Sequence, residues 1–582
     1  MRTFAVNMET TDKSTCRELA ALLAGHGIED VVISPGSRNT PLIIALHRSG
    51  RFRLRVVVDE RSAAFIALGI ASMTQRPVAI VCTSGSALLN YAPAVAEAFY
   101  REVPLIVVSA DRPEEWIDQD DSQTIRQPGC LANIVKQSID IPVENGSATQ
   151  SWMVNRLVND ILIKSVSGRP GPVHINIQLD TPLSHTAETG GTNPRIINVA
   201  APPAELPPER IDALVASLDE NERLLVVAGF MHPDKSVSHA LERLAALPNT
   251  AVLHEAQANI HGEGIIGNID RVLSEIRHEM PTYLQPTLVI TMGGSLVSRF
   301  IKSRLRDQKG LRHWHIGIRD ISTDCFKCLD TRIEVPAESF LPHFAEAMTR
   351  RYADSDSSFR SGWNSLAKNA GISHKRYLDS APWSDLTAMR LLISGTPAGW
   401  DLQASNGTAI RYVQLFDYSH FRRIDCNRGV SGIDGCTSTA VGAAIATGHP
   451  TLLVSGDMSA QYDMGALAAS DIPPTFRMAV LNNGGGGIFR FIPSTAALPE
   501  LERYFVADVR LPLRQLADGF GFDYYEADSP ESFSEAVGKF TAPSARPAIL
   551  NIITPGEKSG AILTDYFTRK QYNYNDETVD HN

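Results

Sequence analysis

The stretch 451–489, TLLVSGDMSAQYDMGALAASDIPPTFRMAVLNNGGGGIF, sets the terms for the whole chain. An apolar run at 451–454 ends in Ser455-Gly456-Asp457, and a second at 476–481 ends in Asn482-Asn483 and four glycines, Gly484 to Gly487. Residues 464–470 between them read as helix. Strand, helix and strand in so short a span make a βαβ unit, whose parallel strands bring both carboxyl ends to one edge of the sheet. Asp457 and Asn483, 26 residues apart in sequence, therefore meet in space. A carboxylate and an amide oxygen beside an accessible glycine backbone suit a hard cation such as Mg²⁺, which takes oxygen ligands and commonly shares them with phosphates. Glycine also lets a diphosphate approach the main chain, and a helix N-terminus favours its charge. The plainer alternative is a strand–turn–helix in which Asp457 caps the helix and the glycines form a loose turn.

The same alternation recurs elsewhere. Apolar runs at 31–33, 54–58, 78–82 and 105–108 lead into SPGSR, DER, TSGS and SADR, and a strand at 173–179 closes the set. Apolar strands that each end in a Gly/Ser/Arg turn indicate a parallel sheet covered on both faces, with ligands at its carboxyl edge. A proline-rich linker, APPAELPPE at 201–209, precedes a second αβ region with strands at 224–228, 250–253, 287–291 and 313–316. The polar stretch 352–360 reads as the next linker. A third region from about residue 385 holds the opening unit and a closing strand at 548–553, and it looks like a second copy of the first region's architecture.

At 582 residues the chain is too long for one core. With 54 basic against 65 acidic residues the net charge is −11, which argues against a nucleic-acid partner. If the ligands are anions, a few clefted arginines must supply the positive charge. No apolar run approaches the ~18 residues of a spanning helix. The polar amino terminus, MRTFAVNMETTDK, argues against a secretory signal. Seven scattered cysteines suit a reducing cytoplasm, and Cys325 and Cys328 read as structural thiols because no second pair accompanies them.

A GD pair followed by NN and glycines resembles the thiamine-diphosphate (ThDP) signature. Read alone, Asp59-Glu60 at the head of a nearly charge-free helix is a helix cap. Beside a ThDP site, Glu60 acquires the task of hydrogen-bonding the aminopyrimidine N1′ and favouring the imino form that removes the thiazolium C2 proton. The runs SPGSRNTPL (34–42), VDERSAAFIALGIA (58–71), VCTSGSALLN (81–90), SADRPEE (109–115), IRQPG (125–129), NRGVSGIDG (427–435), GDMSAQYD (456–463) and NNGGGGIF (482–489) together resemble one family. It is that of the 2-succinyl-5-enolpyruvyl-6-hydroxy-3-cyclohexene-1-carboxylate (SEPHCHC) synthases, ThDP-dependent enzymes of menaquinone biosynthesis. The match covers both outer regions in order and is weaker through the middle.

The resemblance implies an α/β chain of three doubly wound parallel-sheet domains: a pyrimidine-binding domain at 1–195, a central domain at 205–350 and a diphosphate-binding domain at 375–582. It implies decarboxylation of 2-oxoglutarate and a Stetter-like 1,4-addition of the succinyl carbanion to isochorismate. By the match Glu60 activates the cofactor. Asp457, Asn483 and the Gly485 carbonyl are metal ligands for Mg²⁺, with Mn²⁺ as a substitute. Ser431, Gly432 and Ile433 lie against the aminopyrimidine, Ile433 as the wedge that bends the cofactor. Met458, Ser459, Ile488 and Phe489 complete the cofactor site. Ser37, Arg38, Arg112, Gln123, Arg299, Arg411 and Arg428 receive the substrates, and Arg411 and Arg428 also belong to the catalytic set. The family arrangement is a cytoplasmic homodimer or homotetramer with sites shared between subunits.

The residues agree with that assignment. Each substrate carries two carboxylates, which guanidinium groups bind in bidentate geometry, and four of the arginines follow Gly/Ser-rich turns. Two departures stand out. The run Asn406-Gly407-Thr408 lacks the family's serine after the asparagine, so a diphosphate contact passes to Ser405 or Thr408. A family pair of adjacent basic residues is here Arg299-Phe300, with Lys302 as the stand-in for the second. ThDP decarboxylases and acetohydroxyacid synthases usually lack NRGVSGIDG and the ADR and IRQPG arginines. A non-catalytic scaffold on this fold would have lost Glu60, Asp457 or Asn483, and all three are present.

Overall fold

The computed structural model describes residues 8–189, 192–200, 204–276, 278–508 and 511–568. The first seven residues of the polar amino terminus and the first three of the proline-rich linker lie outside them.

Three parallel sheets account for the three regions. The first runs in the order Arg53–Val56, Asp30–Ile33, Val78–Cys82, Leu105–Asp111, Val173–Gln178, Ser138–Ile141. The third runs Arg423–Cys426, Asp401–Ala404, Thr451–Gly456, Phe476–Asn482, Ala548–Ile553, Asp523–Ala527, which is the same succession. The five-stranded middle sheet runs Thr250–His254, Leu224–Ala228, Leu288–Met292, Arg312–Ile316, Leu329–Ile333. The chain is thus an α/β protein of three parallel-sheet domains, as the resemblance implies. In each outer sheet the strand order reverses between the first and third strands in sequence, and ligands of open parallel sheets sit in the crevice at that reversal. The turns SPGSR and TSGS flank it in the first sheet; Ser405 and Gly456-Asp457 flank it in the third.

The outer sheets are fused through two helices that carry almost no charge. Helix Glu60–Thr74 has no ionisable residue after Arg61, and every side chain from Ser62 to Ser72 is buried. A helix apolar all round must be covered on all sides. Helix Cys436–Thr447, built of small residues, supplies the cover: a Cβ on Gly442 would stand 2.1 Å from the Ile66 carbonyl oxygen, and one on Gly69 2.1 Å from that of Thr439. Their packing merges Val32, Ile80 and Val107 of the first sheet with Leu453, Met478 and Ile549 of the third in one core. Gly442→Ala is therefore expected to cost ~1–3 kcal/mol, the usual scale of overpacking, read as a lower calorimetric midpoint; an unchanged midpoint would show that the helices tolerate a wider spacing.

The middle domain docks on the third by amide-to-backbone bonds. Asn259 exchanges hydrogen bonds with the Ile424 main chain (2.7 and 3.0 Å), and Asn268 donates to the carbonyls of Gln414 and Phe416 (2.9 and 2.7 Å).

Several elements differ from the sequence reading. The helix expected at 464–470 starts at Asp457 directly after the strand, as Asp457–Tyr462, and 464–468 is a 3₁₀ turn. The linker placed at 352–360 is shorter, because helix Ala337–Tyr352 is followed by helix Phe359–Ser380. Strands Ser138–Ile141, Leu329–Ile333 and Asp523–Ala527 were not anticipated; all three are edge strands with incomplete burial, so their apolar pattern is weak. Strands Asp401–Ala404 and Arg423–Cys426 were not anticipated either; both are fully buried, but each is four residues long and holds polar or charged side chains that interrupt the apolar run. Cys325-Phe-Lys-Cys328 forms the approach to one of them, and both thiols are free.

Candidate functional site

Asp457 is the first residue after its strand and is 1% exposed. It does not serve as a side-chain cap; Gly456 is the capping residue. Its Oδ2 accepts the main-chain N–H groups of Asn483, Gly484 and Gly485 (3.1, 2.8 and 2.9 Å), and Oδ1 accepts that of Met458 (2.7 Å). The two strand ends of the βαβ unit thus meet. Burial pushes the carboxyl up to about 6 against the pull of those amides, so a cation beside it favours the charged form. Asn483 donates Nδ2 to Asp385 Oδ2 at 2.7 Å, and its Oδ1 is buried with no partner among the described residues. The Gly485 carbonyl accepts from Gly487 N–H at 2.8 Å and has a second lone pair. Gly485 sits at φ +136°, where a Cβ would strike the Val506 carbonyl at 2.1 Å, so glycine is obligatory there. An orphaned buried amide oxygen, a carboxylate and a main-chain carbonyl form a donor set that fits a hard divalent cation.

The loop carrying Arg428, Ser431, Gly432 and Ile433 is clasped from three directions. Asn406 donates to the carbonyls of Asn427 and Gly432 (both 2.6 Å), and Ser459 Oγ to that of Ile433 (2.6 Å). Glu97, from the first domain, accepts the N–H groups of Gly429 and Val430 (2.8 and 2.6 Å). Ser431 adopts φ +68°. Arg101 joins the clasp, donating to Asn427 at 3.0 Å and pairing with buried Asp425 at 2.6 Å. Glu97 and Arg101 were missed because, four residues apart on a helix, they read as a surface ion pair. Both are buried, and each is spent on the third domain. Ile488 and Phe489 begin the short helix after the glycines, with Phe489 against Phe505 at 5.6 Å. Met458 is half-buried against the shared core.

Of the two hydroxyls open for the diphosphate, Ser405 is fully buried and accepts from Gly456 N–H at 3.3 Å. Thr408 opens helix Thr408–Val413, half-buried, and its hydroxyl makes no hydrogen bond among the described residues.

Asp59 caps helix Glu60–Thr74, accepting from Arg61 N–H and Ser62 Oγ (both 3.0 Å). Capping therefore leaves Glu60 free. Glu60 is half-buried, and its one hydrogen bond among the described residues is a long one, 3.5 Å, from Asn90.

The arginines form two groups. Arg299, Lys302, Arg411 and Arg428 converge where the middle domain meets the third. Burial holds the Arg411 guanidinium below its usual range, Asp270 opposes this, and Arg299 and Arg428 add to the depression. Arg411 and Arg299 make no hydrogen bond or ion pair among the described residues, whereas Arg428 donates to Asn406 at 3.0 Å. Two buried acids underlie the group. Glu255 accepts the N–H groups of Val297 and Ser298 (2.8 and 2.7 Å) and is pushed up to about 7 by burial; Asp270 accepts the Ser298 hydroxyl and is also raised by burial. Lys302 turns back to the Leu296 carbonyl at 2.7 Å. Phe300 packs on Phe567 of helix Gly556–Thr568 at 5.2 Å, so the position that departs from the family pattern is an apolar contact.

The second group lies at the first sheet's carboxyl edge. Arg38 is buried and donates to the Leu179 carbonyl at 2.8 Å, and burial and then Arg112 hold it below its usual range. Arg112 pairs with Asp121 at 2.5 Å. Gln123, at φ +60°, exchanges hydrogen bonds with Ser84 (2.9 and 3.3 Å), and Ser37 is exposed on the neighbouring turn. Within one chain no hydrogen bond or ion pair among the described residues joins this group or Glu60 to Asp457, Asn483, Arg411 or Arg428.

Residues 14–129 match the thiamine pyrophosphate enzyme N-terminal TPP binding domain. Over 568 residues, 97% of this chain and 98% of the relative, the chain is 39% identical to the SEPHCHC synthase of Porphyromonas gingivalis. It is 37% identical to that of Flavobacterium johnsoniae over 95% of this chain and 98% of the relative. It is 38% identical to that of Flavobacterium psychrophilum over 93% and 96%. At this identity over nearly its whole length, the chain belongs to the SEPHCHC synthase family of ThDP-dependent enzymes.

Proposed function

We propose that this protein is a SEPHCHC synthase of menaquinone biosynthesis that joins 2-oxoglutarate to isochorismate with ThDP and a divalent cation, Mg²⁺ or Mn²⁺. The observation that carries the reading is the presence, among the described residues, of an orphaned metal-type oxygen at Asn483 and of guanidinium groups without a partner at Arg299 and Arg411. Bound ThDP supplies the carbanion chemistry, loss of CO₂ from the keto acid followed by addition to the acceptor ring. Asp457, Asn483 and the Gly485 carbonyl hold the cation, and Thr408 and the helix start at Met458 receive the diphosphate. Ser431 to Ile433 fix the ring, and Glu60 holds a proton at N1′. Arg411 and Arg428 take the succinyl carboxylate; Ser37, Arg38, Arg112, Gln123 and Arg299 take isochorismate. The test is loss of isochorismate absorbance with 2-oxoglutarate, ThDP and Mg²⁺, each omitted in turn. Each omission is expected to stop the reaction, and consumption that persists without 2-oxoglutarate overturns the reading.

The site is shared between two subunits of a cytoplasmic homo-oligomer. Arg61, next to Glu60, donates to the Tyr462 carbonyl at 2.8 Å, and Tyr462 ends the six-residue helix that Asp457 begins. Glu60 of the same chain thus lies by the far end of that helix. Val56 and Val58 near Glu60, and Val430 on the clasped loop, are exposed at 56, 76 and 53%, as an interface awaiting a second copy would leave them. A heterodimer of Glu60→Ala with Asp457→Ala holds one intact site only if the groups come from different chains. Co-expressing the two inactive variants is expected to restore up to about half the wild-type activity per heterodimer; none in a purified heterodimer refutes sharing. Among the described residues no helix is long and apolar enough to cross a membrane.

A further inference from the structure

Asn483 is the member of the metal set whose chemistry depends on which way round it sits. A primary amide offers an acceptor at one corner and two donors at the other, and a half-turn exchanges them at no steric cost. Its Nδ2 is engaged by Asp385 Oδ2 at 2.7 Å, which leaves Oδ1 as the buried atom without a partner. Asp385 comes from a distant part of the third domain, 98 residues upstream, and is 1% exposed. It begins helix Asp385–Gly395 behind a Ser384–Thr387 capping box. Its Oδ1 accepts the Thr554 hydroxyl at 2.5 Å and its main-chain N–H donates to Ser559 Oγ at 3.0 Å, so both the carboxylate and the backbone that carries it are held. A carboxylate accepts and does not donate, so it receives Asn483 one way only.

We propose that Asp385 is the positioning residue of the metal site: it locks the Asn483 amide with its oxygen toward the cation and its N–H groups away. A reversed amide would face the cation with two N–H dipoles and turn a ligand into a repulsive group. The inference rests on the reading that Asp457, Asn483 and the Gly485 carbonyl hold a divalent cation. Asp385 acts through Asn483 and not on the cation itself. Nothing in the sequence pointed to it, since Ser384-Asp385 reads as an ordinary helix start.

The test is calorimetric titration of Mg²⁺ into the full-length protein at saturating ThDP. Asp385→Asn keeps the shape but offers an amide that can donate to Asn483 and turn it. Mg²⁺ affinity is expected to fall ~10- to 100-fold, the scale of lost outer-shell partners of a metal site. The exchanged pair Asp385→Asn with Asn483→Asp is expected to recover most of that affinity, because a carboxylate at 483 shows the cation an oxygen whichever way it turns. A merely structural role for Asp385 gives no such recovery. Asp457→Ala separates the two claims. If it leaves Mg²⁺ binding intact, the cation lies elsewhere and the site reading falls. If it abolishes binding while Asp385→Asn binds as tightly as wild type, the positioning role alone falls. Should Asp385→Asn fail to fold, the exchanged pair decides: affinity no better than that of Asn483→Ala overturns the proposal.

Discussion

Glu60→Gln is expected to retain ThDP and lose turnover by ~10²-fold or more, the scale of a positioned proton-transfer group. The helix does not need the Glu60 carboxylate, because Asp59 performs the capping. Glutamine fills the same space and keeps an oxygen to accept, but it cannot pass a proton to and from N1′. The residues proposed to hold the diphosphate lie in the third domain and are untouched, so ThDP affinity, measured calorimetrically with Mg²⁺, should stay close to wild type. The separation is the test: a binding-competent variant with near wild-type kcat sinks the assignment, whereas lost binding would make Glu60 a cofactor anchor.

Arg411→Ala is expected to cost roughly 2–4 kcal/mol in kcat/KM for 2-oxoglutarate, about 30- to 1000-fold, the loss of one cation from a partly desolvated carboxylate. Pyruvate has no distal carboxylate, so its slow use should change little and the preference for 2-oxoglutarate over pyruvate should shrink. Arg411 is the better probe than Arg428, because Arg428 also holds Asn406 and through it the clasped loop. The Arg411 side chain makes no hydrogen bond among the described residues, so its removal breaks none, although it takes a cation from buried Asp270. An unchanged ratio between the two keto acids shows that Arg411 does not read the distal group.

The parallel sheets and the Asp457–Asn483 meeting were legible because both follow from local facts. Apolar runs that end in glycine turns define strands, and a βαβ unit fixes which ends coincide. Some edge strands were not legible: Ser138–Ile141 buries alternate residues and Asp523–Ala527 only its last, so neither gives a continuous apolar signal. The candidate ligand residues stood out because they sit in short motifs. Their supports did not, because support is a long-range property. Glu97 reaches 332 residues along the chain to Gly429, and Glu255 reaches 43 to the turn that aims Arg299. Each partner lies far along the chain, and for Glu97 it lies in another domain.

The fused core of the outer domains also sorts inherited damage. Helices Glu60–Thr74 and Cys436–Thr447 belong to one polypeptide and seal its own hydrophobic interior, whereas the proposed sharing of sites would draw the reacting groups from two polypeptides. Lesions at Gly69, Gly442 or their neighbours act in cis, and no second allele repairs them. If the site is shared as proposed, lesions at Glu60 and at Asp457 fall on opposite halves of it, and two such alleles in one cell are expected to complement each other. A genetic screen that crosses loss-of-function alleles pairwise should therefore divide them into two mutually complementing groups and a third that complements nothing, and the third should map onto the small residues of those two helices.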